Sequence, residues 1–307
     1  MNLYFAPLEG ITTSIYRTTH AEIFGGCDAY YAPFITPSDN EKVSKKGLKD
    51  VLPENNAGTN IKVQTLVNHA ESFVKFAKKI KFAGFDEINI NLGCPSATVV
   101  KKGRGSGFLA KPDELDKFLY DIFSECDIKI TLKTRTGYDS SNEFEQLMQI
   151  YNKYPLELLI VHPRARVDFY KGKADTAIFN YAYENSKNKL CYNGDIYTKK
   201  DYDLITSRFP ECEGVMIGRG AIKNPAIFRE IRGGESLKKD DLVSFAEALA
   251  KKYFESLKSE TFTLHKLKEI WVYVMQNYPE EKKIQKAISK ATKLNQFMSL
   301  VESLPEL

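Results

Sequence analysis

Residues 89–96 read Asn-Ile-Asn-Leu-Gly-Cys-Pro-Ser and close an apolar, β-prone run that begins at Glu87. The Gly-Cys-Pro turn ends this run abruptly, so Cys94 is predicted to lie just beyond the C-terminal tip of a strand. A thiol in that position can act as a nucleophile or a proton donor, and the nearby carboxamide of Asn91 can hydrogen-bond a polar ring. A small buried cysteine in a turn is the alternative that this segment alone leaves open.

Seven similar runs recur along the chain, and the segments between them, such as 69–82 and 112–123, have helical periodicity. Most of the runs are continuously apolar, as in parallel strands that are buried on both faces. Eight such strands alternating with helices over about 230 residues predict an α/β fold, a (β/α)₈ TIM barrel, with an open doubly wound sheet as the alternative. The predicted strands are residues 3–8, 29–35, 61–67, 87–91, 129–134, 158–162, 190–193 and 214–218.

The character of the sequence changes after residue 231. Residues 232–236, Arg-Gly-Gly-Glu-Ser, are typical of a linker, and the rest of the chain is lysine-rich and helical in pattern. We therefore predict a catalytic barrel domain over residues 1–235 and a small helical bundle over 236–307. Two apolar stripes should form the core of the bundle, and Pro279 should separate two of its helices. The stripes are Leu242, Phe245, Leu249, Tyr253 and Leu257, followed by Leu267, Ile270, Trp271 and Val274.

Composition limits the possible compartments and partners. The five cysteines are scattered and include no Cys-x-x-Cys pair, and the four histidines lack the spacing of metal ligands, which predicts no disulfide framework and no metal site. The scattered cysteines favour a reducing cytoplasm, so we expect a cytoplasmic protein. We find neither a signal peptide nor an apolar run of membrane-spanning length, so we expect no membrane contact. We also expect a monomer. A formal net charge of +4 permits a polyanionic partner but does not require one.

Polar residues cluster at the predicted C-terminal ends of the strands, where the active site of such a barrel lies. Gly194, Gly218 and Gly220 follow strands 7 and 8, and they can let backbone N–H groups approach a phosphate, although Gly-Arg-Gly also occurs as a plain tight turn. Lys133 can stabilise the negative charge of a reduced flavin, and the Gln64 amide suits the same ring. The polar residues are Glu9, Gln64, Asn91, Cys94, Lys133, Arg135, His162, Arg164, Asn193, Asp195 and Arg219.

Taken together, the rim motifs resemble the dihydrouridine synthases, which are FMN enzymes that reduce specific uridines in RNA, mostly tRNA. The resemblance spans about residues 4–231, and the helical segment is similar in kind to the RNA-binding domain of that family. The motifs that carry it are Ala-Pro-Leu-Glu-Gly-Ile-Thr (6–12), Asn-Leu-Gly-Cys-Pro-Ser (91–96), Lys-Thr-Arg-Thr-Gly (133–137), His-Pro-Arg-Ala-Arg (162–166), Asn-Gly-Asp-Ile (193–196) and Gly-Arg-Gly (218–220).

The resemblance also implies roles for individual residues. Cys94 would be the proton donor, and Asn91 and Arg166 would lie near the target base. Three departures from the family pattern are Leu8 in place of Met, Pro163 in place of Gly, and the pair Val100 and Arg104 in place of Asn and Ala. The implied flavin contacts are Pro7, Leu8, Glu9, Gln64, Lys133, His162, Asn193, Gly194, Asp195, Gly218 and Arg219.

The implied reaction transfers hydride to carbon 6 of uracil and a proton from Cys94 to carbon 5, so the thiol should have an unshifted or raised pKa. NADPH, or NADH, would reduce the flavin during a transient visit, because the chain has no Gly-x-Gly-x-x-Gly fingerprint. The target base must leave its stack. Lysines of the helical segment could bind RNA phosphates or simply solvate the helix faces, since glutamates lie among them.

Three other classes of protein remain open at this point. A flavin barrel acting on a free pyrimidine, such as a dihydroorotate or dihydropyrimidine dehydrogenase, would explain the barrel but not the cysteine motif with a basic helical segment. A phosphate-binding barrel without flavin would use Lys133 as a Schiff-base lysine. An RNA-binding protein on an inactive barrel would have no need of Cys94 and Lys133.

Overall fold

The computed structural model describes residues 1–37 and 45–307. Eight parallel strands form a closed barrel in chain order, and the last strand pairs with the first. This closure confirms the predicted (β/α)₈ barrel and excludes the open doubly wound sheet. The strands are β1 (Asn2–Phe5), β2 (Ala29–Tyr31), β3 (Ile61–Thr65), β4 (Glu87–Leu92), β5 (Lys129–Arg135), β6 (Leu158–His162), β7 (Leu190–Tyr192) and β8 (Gly214–Ile217).

The first two strands end earlier than predicted. Strand β3, predicted over 61–67, also ends two residues early, at Thr65. For the first two strands the sequence predicted 3–8 and 29–35, but β1 ends at Phe5 and β2 at Tyr31. Proline explains both differences, because Pro7 and Pro33 lack the N–H that a ladder hydrogen bond needs. The apolar pattern continues past these points because the rim loops are themselves partly buried.

Helices surround the barrel and continue beyond it. Helix α3 buries Phe73, Phe76 and Ile80, and α5 starts with Pro112 followed by two acidic residues, as expected of a helix N-terminus. The α-helices are α1 (Ser14–Ile23), α2 (Lys45–Val51), α3 (Ala70–Phe82), α4 (Ala97–Val100), α5 (Pro112–Glu125), α6 (Phe144–Tyr151), α7 (Thr176–Asn185), α8 (Lys199–Arg208), α9 (Arg219–Lys223), α10 (Ile227–Ile231), α11 (Lys239–Leu257), α12 (Glu260–Val274), α13 (Lys282–Lys290) and α14 (Leu294–Glu302).

The last four helices, α11 to α14, form the predicted bundle. Trp271 is completely buried, with its ring 5.3 Å from that of Phe297, which confirms that it belongs to the core. Pro279 lies between α12 and α13, also as predicted. Leu257 is the exception among the predicted core residues, because it sits at the last position of α11 and is 39% exposed.

The bundle packs against the rim of the barrel. Phe245 of α11 meets the rings of Tyr16 and Phe24 at 5.5 and 5.1 Å. The ammonium of Lys266 donates to the carbonyl of Gly10 in the loop after β1 (3.0 Å), and the Asn277 amide donates to Lys223 in α9 (2.6 Å). The helices therefore lie beside the loops that follow β1 and β8. The exact domain boundary at residue 235 stays a prediction.

Candidate active site

Cys94 lies two residues beyond the end of β4, on a turn that Asn91 holds in place. The Oδ1 atom of Asn91 accepts hydrogen bonds from the backbone N–H groups of Gly93 (3.0 Å) and Cys94 (2.9 Å). The Cys94 carbonyl in turn accepts from the backbone and the hydroxyl of Ser106, at 3.1 and 2.8 Å. The cysteine backbone is thus fixed from both sides, which sets the direction from which its thiol can act.

A ladder of side-chain amides runs beneath this turn inside the barrel. The Nδ2 atom of Asn91 donates to Gln64 Oε1 (2.8 Å), Gln64 Nε2 donates to Asn89 Oδ1 (2.7 Å), and Asn89 Nδ2 donates to Thr131 Oγ1 (2.8 Å). The register of β3 to β5 creates the ladder, because it places Gln64 beside Asn89 and Asn89 beside Thr131. Gln64 and Asn89 are completely buried. In this arrangement Gln64 supports Asn91, and its predicted contact with a flavin ring stays a prediction.

Lys133 is paired with Asn91 in the β-ladder and therefore projects at the same rim. Its ammonium forms no hydrogen bond or ion pair with residues 1–37 or 45–307 that would neutralise it. Burial, and secondarily the charge of Arg135, lowers the pKa of Lys133 to about 8. A half-buried amine with this pKa remains mostly protonated at neutral pH and is available to a negatively charged ring edge.

The Cys94 thiol has the opposite shift. Its pKa is raised, first by burial and also by the charge of Glu9, although Arg135 and Lys133 act against that increase. The thiol is therefore protonated at neutral pH, as an acid must be before it can donate. The prediction of an unshifted or raised pKa is confirmed in direction.

Arg135 was predicted to be one of the polar residues at the rim, but the sequence indicated no role of its own for it. This fully buried side chain donates from Nε to the Gly93 carbonyl (2.9 Å) and from Nη1 to the Ala165 carbonyl (2.9 Å). It therefore ties the cysteine turn after β4 to the loop after β6. Its position at the end of β5, two residues beyond Lys133, was the available signal, but its inward direction depends on both loops.

A second arginine, Arg164, organises the neighbouring part of the rim, in the loops after β6 and β7. It donates to Asp195 Oδ1 (3.1 Å) and Oδ2 (2.5 Å) and to Nε2 of His162 (3.0 Å). Because Nε2 accepts this bond, the proton of neutral His162 resides on Nδ1. Burial and the neighbouring cations, Arg135 first, hold the pKa of His162 well below its usual value, so the ring stays neutral.

Asp195 is the shared acceptor of this cluster. Besides Arg164 it accepts from Arg219 Nη2 (3.0 Å) and from the backbone of Ala174 (2.9 Å). Partial burial alone would raise the pKa of Asp195, but the hydrogen bonds and positive charges of the two arginines outweigh it and lower the pKa. The carboxylate is thus ionised and holds both guanidinium groups at the rim.

The glycines after β7 and β8 are close-packed against protein atoms. A Cβ at Gly194 would lie 2.3 Å from the Tyr192 hydroxyl, and one at Gly220 would lie 1.9 Å from the Ile196 carbonyl. The Asn193 amide donates to the Met216 carbonyl (2.8 Å) and joins the two strands. Packing therefore already requires glycine at two of these positions, whether or not an anion binds there.

The loop after β1 completes the rim next to β8. The backbone N–H and carbonyl of Leu8 both bond the Thr12 hydroxyl, at 2.9 and 3.2 Å, and Gly10 has a φ of 78°, which favours glycine. A Cβ at Gly218 would sit 3.7 Å from Leu8, so the two loops are in contact. Pro7 and Glu9 belong to this same turn.

Arg166 is held at the edge of the site. Its guanidinium lies 3.9 Å from the Tyr138 ring centroid and donates to the Tyr138 carbonyl (3.2 Å) and to Asp139 (3.0 Å). Arg104, one of the departures from the family pattern, donates to the Asn68 side chain (3.1 Å). The structure thus brings the predicted residues to one rim, with Gln64 and Asn91 beneath it.

Comparison of the sequence with known protein families identifies the family to which this chain belongs. The family model described as Dihydrouridine synthase (Dus) matches residues 4–306. The chain belongs to the dihydrouridine synthase family. The match includes the four bundle helices as well as the barrel, so it extends beyond the rim motifs on which the resemblance was first based.

Relatives and solved structures agree with this membership. The tRNA-dihydrouridine synthase B of Pseudomonas putida is 30% identical over 243 residues, or 77% of this chain and 70% of the relative. That of Pasteurella multocida is 26% identical over 81% of this chain and 74% of the relative. The barrel also resembles morphinone reductase (TM-score 0.54, 13% identity, 80% and 88% of the two chains) and the old yellow enzyme from Trypanosoma cruzi (TM-score 0.52, 11% identity, 76% and 88%).

Membership in the dihydrouridine synthase family supports a flavin cofactor for this chain. No group of three or more His, Cys, Asp or Glu side chains within residues 1–37 and 45–307 could hold a metal ion. In the same part of the chain, no helix is long and apolar enough to cross a membrane.

Proposed function

We propose that this protein reduces uridine in tRNA to 5,6-dihydrouridine, with FMN as its flavin and NADPH, or NADH, as the electron donor. The observation that carries the proposal is the placement of a protonated thiol, Cys94, and an unneutralised ammonium, Lys133, at the ends of adjacent strands in a dihydrouridine synthase. An acid for the substrate and a cation for the flavin are the two groups that this reaction requires.

The residues at the rim fit a phosphorylated flavin. Lys133 would face the negatively charged edge of the ring, and Arg219, oriented by Asp195, would face the phosphate beside Gly194 and Gly218. His162 is neutral and carries its proton on Nδ1, so it is a donor without charge. The chemistry that the flavin supplies when bound is hydride transfer to carbon 6 of uracil.

Cys94 donates the proton that completes the reaction at carbon 5. Hydride addition at carbon 6 leaves negative charge on the uracil, shared between carbon 5 and the carbonyl at carbon 4. Burial raises the pKa of the Cys94 thiol and so keeps this acid protonated at neutral pH. Asn91 acts through the backbone, because its Oδ1 fixes the Cys94 N–H and its Nδ2 is anchored on Gln64.

The helical bundle is the natural support for the RNA, because it packs beside the loops after β1 and β8. Arg166 stands at the edge of the site and can contact the nucleotide that leaves its stack. The bundle therefore supplies affinity for the polynucleotide, and the barrel supplies the chemistry.

The test compares the wild-type protein with Cys94→Ala and a matched control, Cys126→Ala, which removes another half-buried thiol at the end of α5. Unmodified tRNA transcript and NADPH are supplied, and dihydrouridine is measured by mass spectrometry of nucleosides. Cys94→Ala should lose about 10²-fold or more of the rate, the usual contribution of a general acid, while its flavin is still bound and reduced. The control should react at the wild-type rate.

Three results would contradict the proposal. A protein purified without flavin has no reductant for the base. Normal reduction of tRNA by Cys94→Ala would exclude the thiol as the acid. Reduction of free uracil or orotate in preference to tRNA would place the protein among barrels that act on free pyrimidines.

A further inference from the structure

A cavity of about 550 Å³ lies in the bundle between α12 and α13, separate from the barrel rim. Its walls combine the apolar side chains Val272, Met275 and Ile288 with the charged pair Lys268 and Glu269 at the edge. This volume falls within the range of roughly 300–1,000 Å³ that is typical of small-ligand sites. The cavity can therefore accept a planar group the size of a nucleobase.

Two hydrogen-bonding groups at this cavity lack partners. The indole Nε1–H of Trp271 has no acceptor in the described ranges, 1–37 and 45–307, but it is completely buried behind the cavity wall and is not accessible to a bound group. Gln285 uses its Nε2 to donate to the carbonyls of Met275 (3.2 Å) and Tyr278 (3.0 Å), which leaves its Oε1 without a donor in those ranges. A flat ring with a hydrogen-bond donor on its edge therefore matches a slot in which the Gln285 oxygen is the available acceptor.

The flank of the cavity carries uncompensated positive charge. Helix α13 reads Lys-Lys-Ile-Gln-Lys-Ala-Ile-Ser-Lys and contains no acidic residue. None of its lysines forms an ion pair with a residue that the structure describes, whereas Lys252 and Lys266 on α11 and α12 pair with Glu22 (2.6 Å) and Glu269 (2.7 Å). At 3.6 residues per turn, Lys282 lies about 60° around α13 from Gln285 and therefore on nearly the same face of the helix as this cavity residue. Lys283 lies about 160° from Gln285, on nearly the opposite face.

We propose that this cavity receives one unstacked nucleobase of the RNA substrate, distinct from the uridine that is reduced. Lys282 and Lys286 then contact the phosphates on either side of that nucleotide. An apolar slot bordered by cations suits a base joined to a polyanion, because the base is flat and apolar on its faces while its phosphates need positive charge. This inference rests on the proposed function, since it assumes an RNA substrate.

The cavity can be tested with two matched variants on α12. Val272→Glu places a carboxylate at the mouth of the cavity, and Phe262→Glu places one on the same helix outside it. The two side chains are similarly exposed, at 66% and 63%, so both variants should unfold at the wild-type temperature. Val272→Glu should raise the dissociation constant for tRNA at least tenfold, as expected when one base contact is lost. Phe262→Glu should leave it within twofold of wild type.

The only tryptophan in the sequence is Trp271, so indole fluorescence reports on this cavity alone. Saturating tRNA should quench it in the wild-type protein and in Phe262→Glu, but not in Val272→Glu. Unquenched fluorescence in a wild-type protein that binds tRNA, or equal affinities for the two variants, would overturn the inference. A change in oligomeric state in Val272→Glu without loss of RNA affinity would assign the surface to a second copy of this chain, and would also overturn it.

These measurements are separate from the reaction itself. Binding and fluorescence test the cavity, whereas dihydrouridine formation tests the proposed function. A wild-type protein that forms dihydrouridine but shows no effect of Val272→Glu contradicts only the cavity. A wild-type protein that binds no RNA contradicts both.

Discussion

Replacing Asp195 by Asn removes the negative charge shared by two arginines at the rim. The Arg164 side chain is 2% exposed and loses a bidentate counter-ion, while Arg219 is better solvated. Removing one partner of a buried ion pair typically costs about 3–5 kcal/mol of unfolding free energy. The Asp195 side chain is itself 25% exposed and Asn retains one acceptor oxygen, so we expect about 2–3 kcal/mol.

This free energy corresponds to a measurable change in melting temperature. An unfolding entropy of about 2.1 cal/mol/K per residue over 307 residues gives about 0.6 kcal/mol per kelvin. Asp195→Asn should therefore lower Tm by about 3–5 °C in calorimetry at pH 7. The comparison is made on the flavin-free proteins, so that a change in flavin affinity does not contribute to the difference in Tm. Asp139→Asn breaks a more exposed pair with Arg166 and should cost less than about 1 kcal/mol.

The same difference should depend on pH. Because the pKa of Asp195 is lowered in the folded protein, its stabilisation is present above the unfolded pKa of about 3.9 and is lost as pH falls through the folded value. The Tm gap between wild type and Asp195→Asn should therefore start to narrow below about pH 5. A gap that is absent at pH 7, or that stays constant down to the most acidic pH with a cooperative transition, would refute this account of the cluster.

Two further predictions concern the cysteine turn and the bundle. Arg135→Lys replaces the rigid guanidinium fork, whose Nε and Nη1 each bond one backbone carbonyl, by a flexible ammonium that does not reproduce this geometry, so it should lose about 1.5–3 kcal/mol of stability. In kinetic assays this variant should lower kcat for tRNA more than it raises KM, while flavin reduction by NADPH is retained. An unchanged kcat would show that the Arg135 hydrogen bonds do not position the Cys94 thiol. Replacing Lys282, Lys283 and Lys286 of the bundle by Glu should weaken tRNA binding and reduce its salt dependence by about one unit of slope per lost phosphate contact. The same reversal at Lys81 and Lys129, which each form a surface ion pair at the opposite end of the barrel, should not. An RNA affinity that the bundle reversals leave unchanged would exclude the bundle surface as the RNA-binding site.

The barrel and the cysteine turn were predictable because their signals are local. Continuous apolar runs separated by helical segments predict parallel strands, and the Gly-Cys-Pro turn predicts where β4 ends. Prolines such as Pro7 define strand ends more reliably than hydrophobicity does, as the shortened β1 shows.

The partners of the site residues were not predictable, because they depend on register and on loop paths. The pairing of Gln64 with Asn89 and Asn91 follows from the alignment of β3 with β4, which a single sequence does not specify. The inward direction of Arg135 and Arg164 depends on carbonyls supplied by neighbouring loops. A polar residue at a strand end is thus visible in the sequence, whereas its role as ligand contact or support is not.

The lysines of the bundle show the same limit most clearly. In the sequence they are interleaved with glutamates, which leaves phosphate binding and simple solvation equally open. In the structure Lys252 and Lys266 are paired with acidic side chains, whereas the lysines of α13 are not paired within the described chain. A lysine that already pairs with a carboxylate contributes little free energy to phosphate binding, because it must first give up that partner. An unpaired lysine contributes more, because RNA binding at it releases counter-ions from the phosphates. The structure therefore favours solvation for Lys252 and Lys266 and RNA binding for α13, and the two groups should differ in salt dependence when each is mutated.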